Sequence, residues 1–197
     1  PLIEEIFSRF REIGEAFGIG EEHLAAIHLD LEAVNQLPIE NNPHLYDHIL
    51  SRGEDNNAKL VAGILQAEGV NARYINPKDL GILVTDEPGN ARVLYKAYRK
   101  IKKWADSEAV LVIPGFFGYT EEGNICTFSR GGSDISGSIV AAGVKADLYE
   151  NFTDVDGIYA AHPGYIHHPE IIKELTYREM RELAYAGFSV FHDEALI

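Results

Sequence analysis

The chain has 197 residues, 46% apolar and 24% charged, the balance of a globular protein that forms one large domain or one domain with an appendage. Its 31 acidic side chains against 17 basic ones leave a net charge of -14, a field that repels nucleic-acid phosphates and anionic membrane surfaces, so neither is an expected partner. The single cysteine, Cys126, excludes an intrachain disulfide and an all-cysteine metal site, and it fits a reducing, cytoplasmic compartment. The longest apolar stretch, residues 109–119, is broken by Pro114, Gly115 and Gly118, so no membrane helix is expected. The first residues carry no signal-peptide pattern, and the chain opens without Met inside a helical pattern, so a piece of a longer protein is expected.

Ile3, Ile6, Phe7, Phe10, Ile13 and Phe17 recur at helical spacing up to Gly18. Leu24, Ile27, Leu31 and Val34 repeat the pattern before Pro38, which predicts two antiparallel helices. The Pro/Asn-rich residues 37–43 set a boundary between a helical subregion, 1–43, and an α/β core, 44–197. In that core a helix starting at Asn57 carries Leu60, Val61, Ile64 and Leu65 and closes at Gly69, and residues 70–75 and 81–85 read as strands. Leu94, Tyr98, Ile101 and Ala105 mark a helix, and residues 109–113 are a continuous apolar run suited to a strand buried on both faces. Residues 133–145 read as a helix and 147–152 as a strand. Residues 176–186 read as a helix whose Thr176 and Glu179 have capping-box spacing and whose stop is Gly187, and residues 189–192 as a last strand. Helices interleaved with apolar strands predict an α/β fold, a mainly parallel sheet sandwiched between helices.

Three stretches have the residue types that chemistry needs. Arg130-Gly131-Gly132-Ser133-Asp134 follows Pro114-Gly115-Phe116-Phe117-Gly118 in the chain; its glycines let backbone N–H groups approach a ligand, Ser133 is placed to cap the helix, and Arg130 adds a forked cation to the helix end. A charge-assisted hydrogen bond from that arginine is worth about 1.5–3 kcal/mol and the helix end about 0.3–1 kcal/mol, so the arginine dominates. A capped helix with a surface-paired arginine is the alternative. Thr153-Asp154-Val155-Asp156-Gly157 follows a predicted strand, where open α/β sheets bind ligands; it lacks the third oxygen ligand and closing Glu of a calcium loop, and an Asp-rich turn is the plain alternative. Ser51-Arg52-Gly53-Glu54-Asp55 precedes the predicted helix, where Glu54 and Asp55 either favour the positive helix end or meet a ligand. The basic residues between Lys96 and Lys103 read as an exposed helix face, the adjacent His167 and His168 point apart, and Cys126, with no base near it in sequence, reads as core, so no metal-ligand set is expected.

Together these segments, with Ile158-Tyr159 and residues 175–192, resemble the aspartokinases of the amino-acid kinase family in order and spacing over residues 51–196. Residues 129–134 and 174–196 are most similar to a Bacillus-type, lysine-sensitive aspartokinase. The resemblance implies an amino-acid kinase, carbamate kinase-like fold and ATP-dependent, Mg²⁺-assisted phosphorylation of the L-aspartate side-chain carboxylate to 4-phospho-L-aspartate. That is the first step toward lysine, threonine, methionine and diaminopimelate. Carried over by position, Glu54 would hold the substrate ammonium and Arg130 its α-carboxylate. Phe116 and Ser133 would line the pocket, Asp134 would organise the cation at the phosphoryl group, and Thr153, Asp154 and Tyr159 would contact adenosine.

The chain lacks the family's Lys-Phe-Gly-Gly phosphate loop, and it has Gly164 and Ser189 where the family has an arginine and a lysine. The closing strand and the two ACT regulatory domains, through which the longer protein would form homo-oligomers, are likewise not in it. An incomplete catalytic domain with little kinase activity of its own is the expectation. The alternatives are a noncatalytic aspartate-binding paralogue and another amino-acid kinase such as a glutamate 5-kinase.

Overall fold

The structure is a computed structural model that describes residues 2–129, 131–152, 157–161 and 165–185. Its first two helices, α1 (Leu2–Ala16) and α2 (Glu21–Ala33), are the predicted pair, turned at Gly18. Phe7 of α1 and Ile27 and Leu31 of α2 bury against Leu60 of the third helix, α3 (Leu45–Ala67), and form one of two apolar cores.

Helix α3 begins twelve residues before the expected start at Asn57, so Ser51-Arg52-Gly53-Glu54-Asp55 lies inside a helix and not ahead of one. The polar residues that read as a helix entry are instead held by tertiary contacts. Ser51, Arg52, Asp55 and Asn56 are buried, and the Ser51 hydroxyl donates back to the His48 carbonyl at 2.7 Å, which satisfies it within the helix. Farther up the helix, the Asp47 carboxylate accepts the Gly89 and Thr127 N–H groups at 2.8 and 2.7 Å, which fastens this first turn to the second core.

The second core gathers Ile82, Val84, Ile101, Phe128, Ile135 and Ile139. Strands β1 (Ala72–Tyr74) and β2 (Val110–Val112) pair in parallel with Ala72 opposite Val110 and Tyr74 opposite Val112. Among the described residues β2 pairs only with β1, and Val110 is 51% exposed, so the run 109–113 is not buried on both faces as expected. The short helix α4 (Pro77–Leu80) follows β1, capped by the Asn76 side chain. Residues 81–85 form isolated bridges rather than a full strand, Leu83 to Tyr119 and Val84 to Val93, although Ile82 and Val84 are buried.

Helix α5 (Tyr95–Ile101) buries Ala97 and Ile101 and leaves its basic face out. Strands β3 (Phe117–Tyr119) and β4 (Ile125–Thr127) form an antiparallel hairpin that the sequence reading marked only by its turn. Helix α6 (Gly132–Val144) packs on α5 at Gly143, where a Cβ would stand 2.6 Å from Ile101 Cγ2, so only glycine permits that approach. Residues 147–152 join no ladder among the described residues; Leu148 and Phe152 are 73% and 90% exposed, and an isolated strand with no apolar cover has nothing to hold it. Helix α7 (Tyr177–Tyr185) carries the predicted capping box: the Thr176 N–H donates to Glu179 Oε2 at 2.8 Å, and the Glu179 N–H donates back to Thr176 Oγ1 at 3.2 Å. The Thr176 N–H first, and then the Thr176 hydroxyl, which also donates to Glu179 Oε2 at 2.7 Å, hold this carboxyl below the usual carboxylate range. The helix stop at Gly187 and the strand 189–192 lie outside the described residues.

Candidate functional site

The loop before β3 and the start of α6 are built as one unit. Phe116 adopts a left-handed backbone, φ 78°, which a bulky L-residue takes only when its surroundings hold it there. They do so from two sides: its N–H donates to Ser136 Oγ at 2.9 Å, and its carbonyl accepts the Phe128 N–H at 2.8 Å. Ser136 in turn donates to the Gly132 carbonyl at 3.0 Å, so one hydroxyl ties the loop to the first turn of α6. Gly132 is required there, because a Cβ would meet Phe116 Cδ2 at 2.7 Å, and a Cβ on Gly115 would press on Ser133 Cα at 3.1 Å.

Gly131, at φ 80°, is the N-cap of α6 and makes no side-chain cap bond; Ser133 sits inside the helix, exposed, and does not cap it as expected. A glycine at this position supplies no side-chain acceptor to the first-turn N–H groups of α6. Asp134 stands half-buried on the same turn and accepts the Asn151 amide at 3.3 Å through Oδ1. Tyr149 lies against Gly137, and burial, with the Asp134 charge second, raises its phenol pKa. Beyond it a cavity of about 630 Å³ opens between α6 and α7, lined by Tyr149, Asn151, Thr176 and Met180. Tyr159 pairs with Ile171 in an isolated antiparallel bridge.

Helix α3 separates two polar faces. Glu54 is exposed on one, and no hydrogen bond or ion pair ties it to the Phe116–Asp134 unit among the described residues. The other face carries His48, Arg52, Asp55 and Lys59, one helical stripe at spacings of three and four residues. Arg52 Nη1 donates to Asp30 at 2.8 and 3.1 Å and to Asp55 at 3.1 Å, and Lys59 reaches Asp55 at 2.8 Å. Tyr74 donates to Asp55 Oδ1 at 2.5 Å, and its pKa is raised far above the usual phenol value by burial first and then by Asp55. Burial, then the Arg52 charge, lowers the pKa of His48; burial raises that of Tyr119. These groups line a cavity of about 510 Å³. Its two cations and two carboxylates neutralise one another, so it is no anion well.

The structure thus brings Phe116, Ser133 and Asp134 together at the start of α6, carries Glu54 exposed on α3 and puts Tyr159 in a bridge to Ile171. Arg130, Thr153 and Asp154, like Gly164 and Ser189, lie outside the described residues. Sequence reasoning missed Ser136 and Asn151. Ser136 falls at helical spacing from Gly132, which was its only signal; the partnership of Asn151 with Asp134 spans 17 positions and had none.

The chain matches the amino acid kinase family over residues 8–197 and belongs to it. It is 48% identical over 196 residues to aspartokinase 3 of Bacillus subtilis, covering all of this chain and 43% of that protein. Among solved structures it resembles aspartate kinase of Clostridium acetobutylicum, with TM-score 0.74 and 35% identity over 99% of this chain and 41% of the other. It also resembles E. coli aspartokinase III in complex with aspartate and ADP, with TM-score 0.74 and 27% identity over 90% of this chain and 40% of that one. The chain spans less than half the length of these relatives. The resemblance drawn from the motifs holds, and the fold is the α/β amino acid kinase fold of these structures.

Proposed function

We propose that this chain is the central part of an aspartokinase catalytic domain, with residues 1–43 as its helical subregion and 44–197 as its α/β core, and that the whole protein phosphorylates the side-chain carboxylate of L-aspartate with ATP. The carrying observation is the Phe116 loop locked onto the open N-terminus of α6, in a chain 48% identical over its whole length to an aspartokinase. A carboxylate attacking a triphosphate brings two anions together, so the site must supply positioning and positive potential. The N–H groups of α6 supply part of that potential, and Arg130, immediately before them in sequence, supplies a guanidinium for the α-carboxylate.

Phe116 and Ser133 line the substrate pocket in this reading, and Glu54 receives the ammonium; its exposure on α3 leaves it reachable. Thr153, Asp154 and Tyr159 hold the nucleotide. Asp134 fits a hard divalent cation, since Mg²⁺ is commonly bound by one or two carboxylates together with substrate phosphates, and Asp134 is a half-buried carboxylate oriented by Asn151. When bound, Mg²⁺ neutralises phosphate charge. The corresponding location is cytoplasmic, the product 4-phospho-L-aspartate feeds lysine, threonine and methionine synthesis, and oligomerisation would run through regulatory domains outside this chain. Among the described residues no helix is long and apolar enough to cross a membrane.

The test is hydroxylamine trapping of the acyl phosphate by the full-length natural protein with MgATP. Aspartyl hydroxamate formation, lost in Arg130→Ala and in Glu54→Gln, supports the reading. Preference for glutamate, or aspartate uptake without turnover, replaces it with another amino-acid kinase or a binding paralogue.

A further inference from the structure

His44, Asp86 and Cys126 come from three separate parts of the chain and meet beside the N-terminus of α3. His44 Nε2 lies 2.5 Å from Asp86 Oδ1, and Cys126 Sγ lies 3.8 Å from the same oxygen. One ligand atom of each lies within 4.8 Å of those of the other two. We propose that these three side chains form a binding site for a zinc-like transition-metal ion, distinct from the phosphoryl-transfer centre.

The donor set is nitrogen, oxygen and sulfur, which suits Zn²⁺ and Co²⁺ and not the hard cations Mg²⁺ and Ca²⁺. Three protein ligands with a fourth position for water is the arrangement of open zinc sites. A tetrahedral zinc would set the S–O edge at about 3.6 Å and the N–O edge at about 3.3 Å. The first is nearly met already. The second asks His44 and Asp86 to part, and the movement falls on Asp86, whose side chain is 55% exposed, while Cys126 is fully buried in the core.

The scaffold around the other two ligands is firm. Cys126 sits in β4 opposite Gly118 of β3, and Asp47 ties the next residue, Thr127, to α3. The His44 N–H donates to Asn42 Oδ1 at 3.2 Å, and the Asn42 amide donates to the Pro38 carbonyl at 3.1 Å, which fixes the approach of the imidazole. The His44 ring is 16% exposed and borders the 510 Å³ cavity, which gives an ion an entry path and water a place to complete the shell. Without metal, burial and then the Asp47 and Asp86 charges push the Cys126 thiol up to about 12, so this cysteine is no free nucleophile. On binding, the thiol releases its proton to solvent, and His44 presents the Nε2 lone pair to the ion.

The test uses the full-length natural protein, titrated with Co²⁺ and then Zn²⁺. Thiolate coordination gives a near-ultraviolet charge-transfer band that saturates at one ion per chain and is displaced by zinc; a second site at Glu4, His28 and Glu32, which has no sulfur, would contribute none. Losing a residue that only supports a ligand costs about 10–100-fold in affinity, so His44→Ala and Cys126→Ser should each weaken binding at least about 100-fold. Asp86→Asn, on an exposed loop, serves as the variant least exposed to folding failure, and circular dichroism reports the fold of each. Absence of the band from the folded natural chain overturns the proposal, as does a band that survives unchanged in His44→Ala and Asp86→Asn.

Discussion

Asp47 and Thr127 lie 80 positions apart in sequence and are joined by a 2.7 Å hydrogen bond from the Thr127 N–H to the buried carboxylate, whose same oxygen accepts the Gly89 N–H at 2.8 Å. One side chain on the first turn of α3 thereby satisfies two backbone donors, one in the hairpin that leads to α6 and one in the loop that carries Asp86.

Removing that acceptor strands both donors. Asp47→Ala should destabilise the chain by about 2–4 kcal/mol, since an unsatisfied buried donor costs roughly 1–3 kcal/mol. Asp47→Asn keeps one oxygen for both N–H groups and should lose about 1 kcal/mol. Urea unfolding measures both, and equal losses would mean the bonds are not what holds the turn.

Arg52 should show a different pattern. Its side chain is 9% exposed and binds Asp30 and Asp55, so Arg52→Ala leaves buried carboxylates short of a cation and should cost about 3 kcal/mol or more. Replacing Arg52 by Met and Asp30 by Leu together removes charge from both sides and should cost less than Arg52→Met alone. A double-mutant cycle in urea reads the difference, and additive losses would contradict a coupled pair.

The parts of the fold legible in sequence were those with local causes. The apolar stripes of α1 and α2, the capping box of Thr176 and Glu179 and the turn before β4 each announce themselves within a few residues. Helix α3 did not, because Ser51, Arg52 and Asp55 have the composition of a helix entry, and the partners that make the burial of Arg52 and Asp55 favourable include Asp30, 22 positions from Arg52, and Tyr74, 19 positions from Asp55. The strand expected at 147–152 failed for the converse reason: its apolar residues fit the pattern, but no neighbouring strand is placed to pair with them among the described residues. At the site, Gly132 and Phe116 were visible as motif residues, whereas their contact through Ser136 depends on tertiary folding. The His44–Asp86–Cys126 cluster was invisible because its members are about 40 positions apart.

The backbone of Phe116 gives a prediction that inverts the ordinary order of substitutions. At φ 78° an L-residue carries a left-handed cost of about 1–2 kcal/mol that glycine does not, so Phe116→Gly should be more stable than Phe116→Ala by about 1 kcal/mol. Both lose the ring that faces Gly132, which makes the pair a clean comparison. Thermal unfolding of the two variants decides it, and alanine proving the more stable would show that the loop relaxes out of this conformation.

His48 should make stability depend on pH. Burial and the Arg52 charge lower its folded pKa from the usual 6.5, so the unfolded chain takes up its proton first as the solution is acidified. The contribution is fully present above pH 6.5 and is lost as pH falls from there toward the lowered folded value. The facing charges do not cancel this, because Asp30 and Asp55 oppose the shift but rank below burial and Arg52. His48→Gln, which has no proton to take up, should therefore flatten the fall in urea midpoint as the solution is acidified below pH 6.5, relative to the natural chain. A slope unchanged by the substitution would place the acid sensitivity in other groups and show that the imidazole titrates as freely in the folded protein as in the unfolded one.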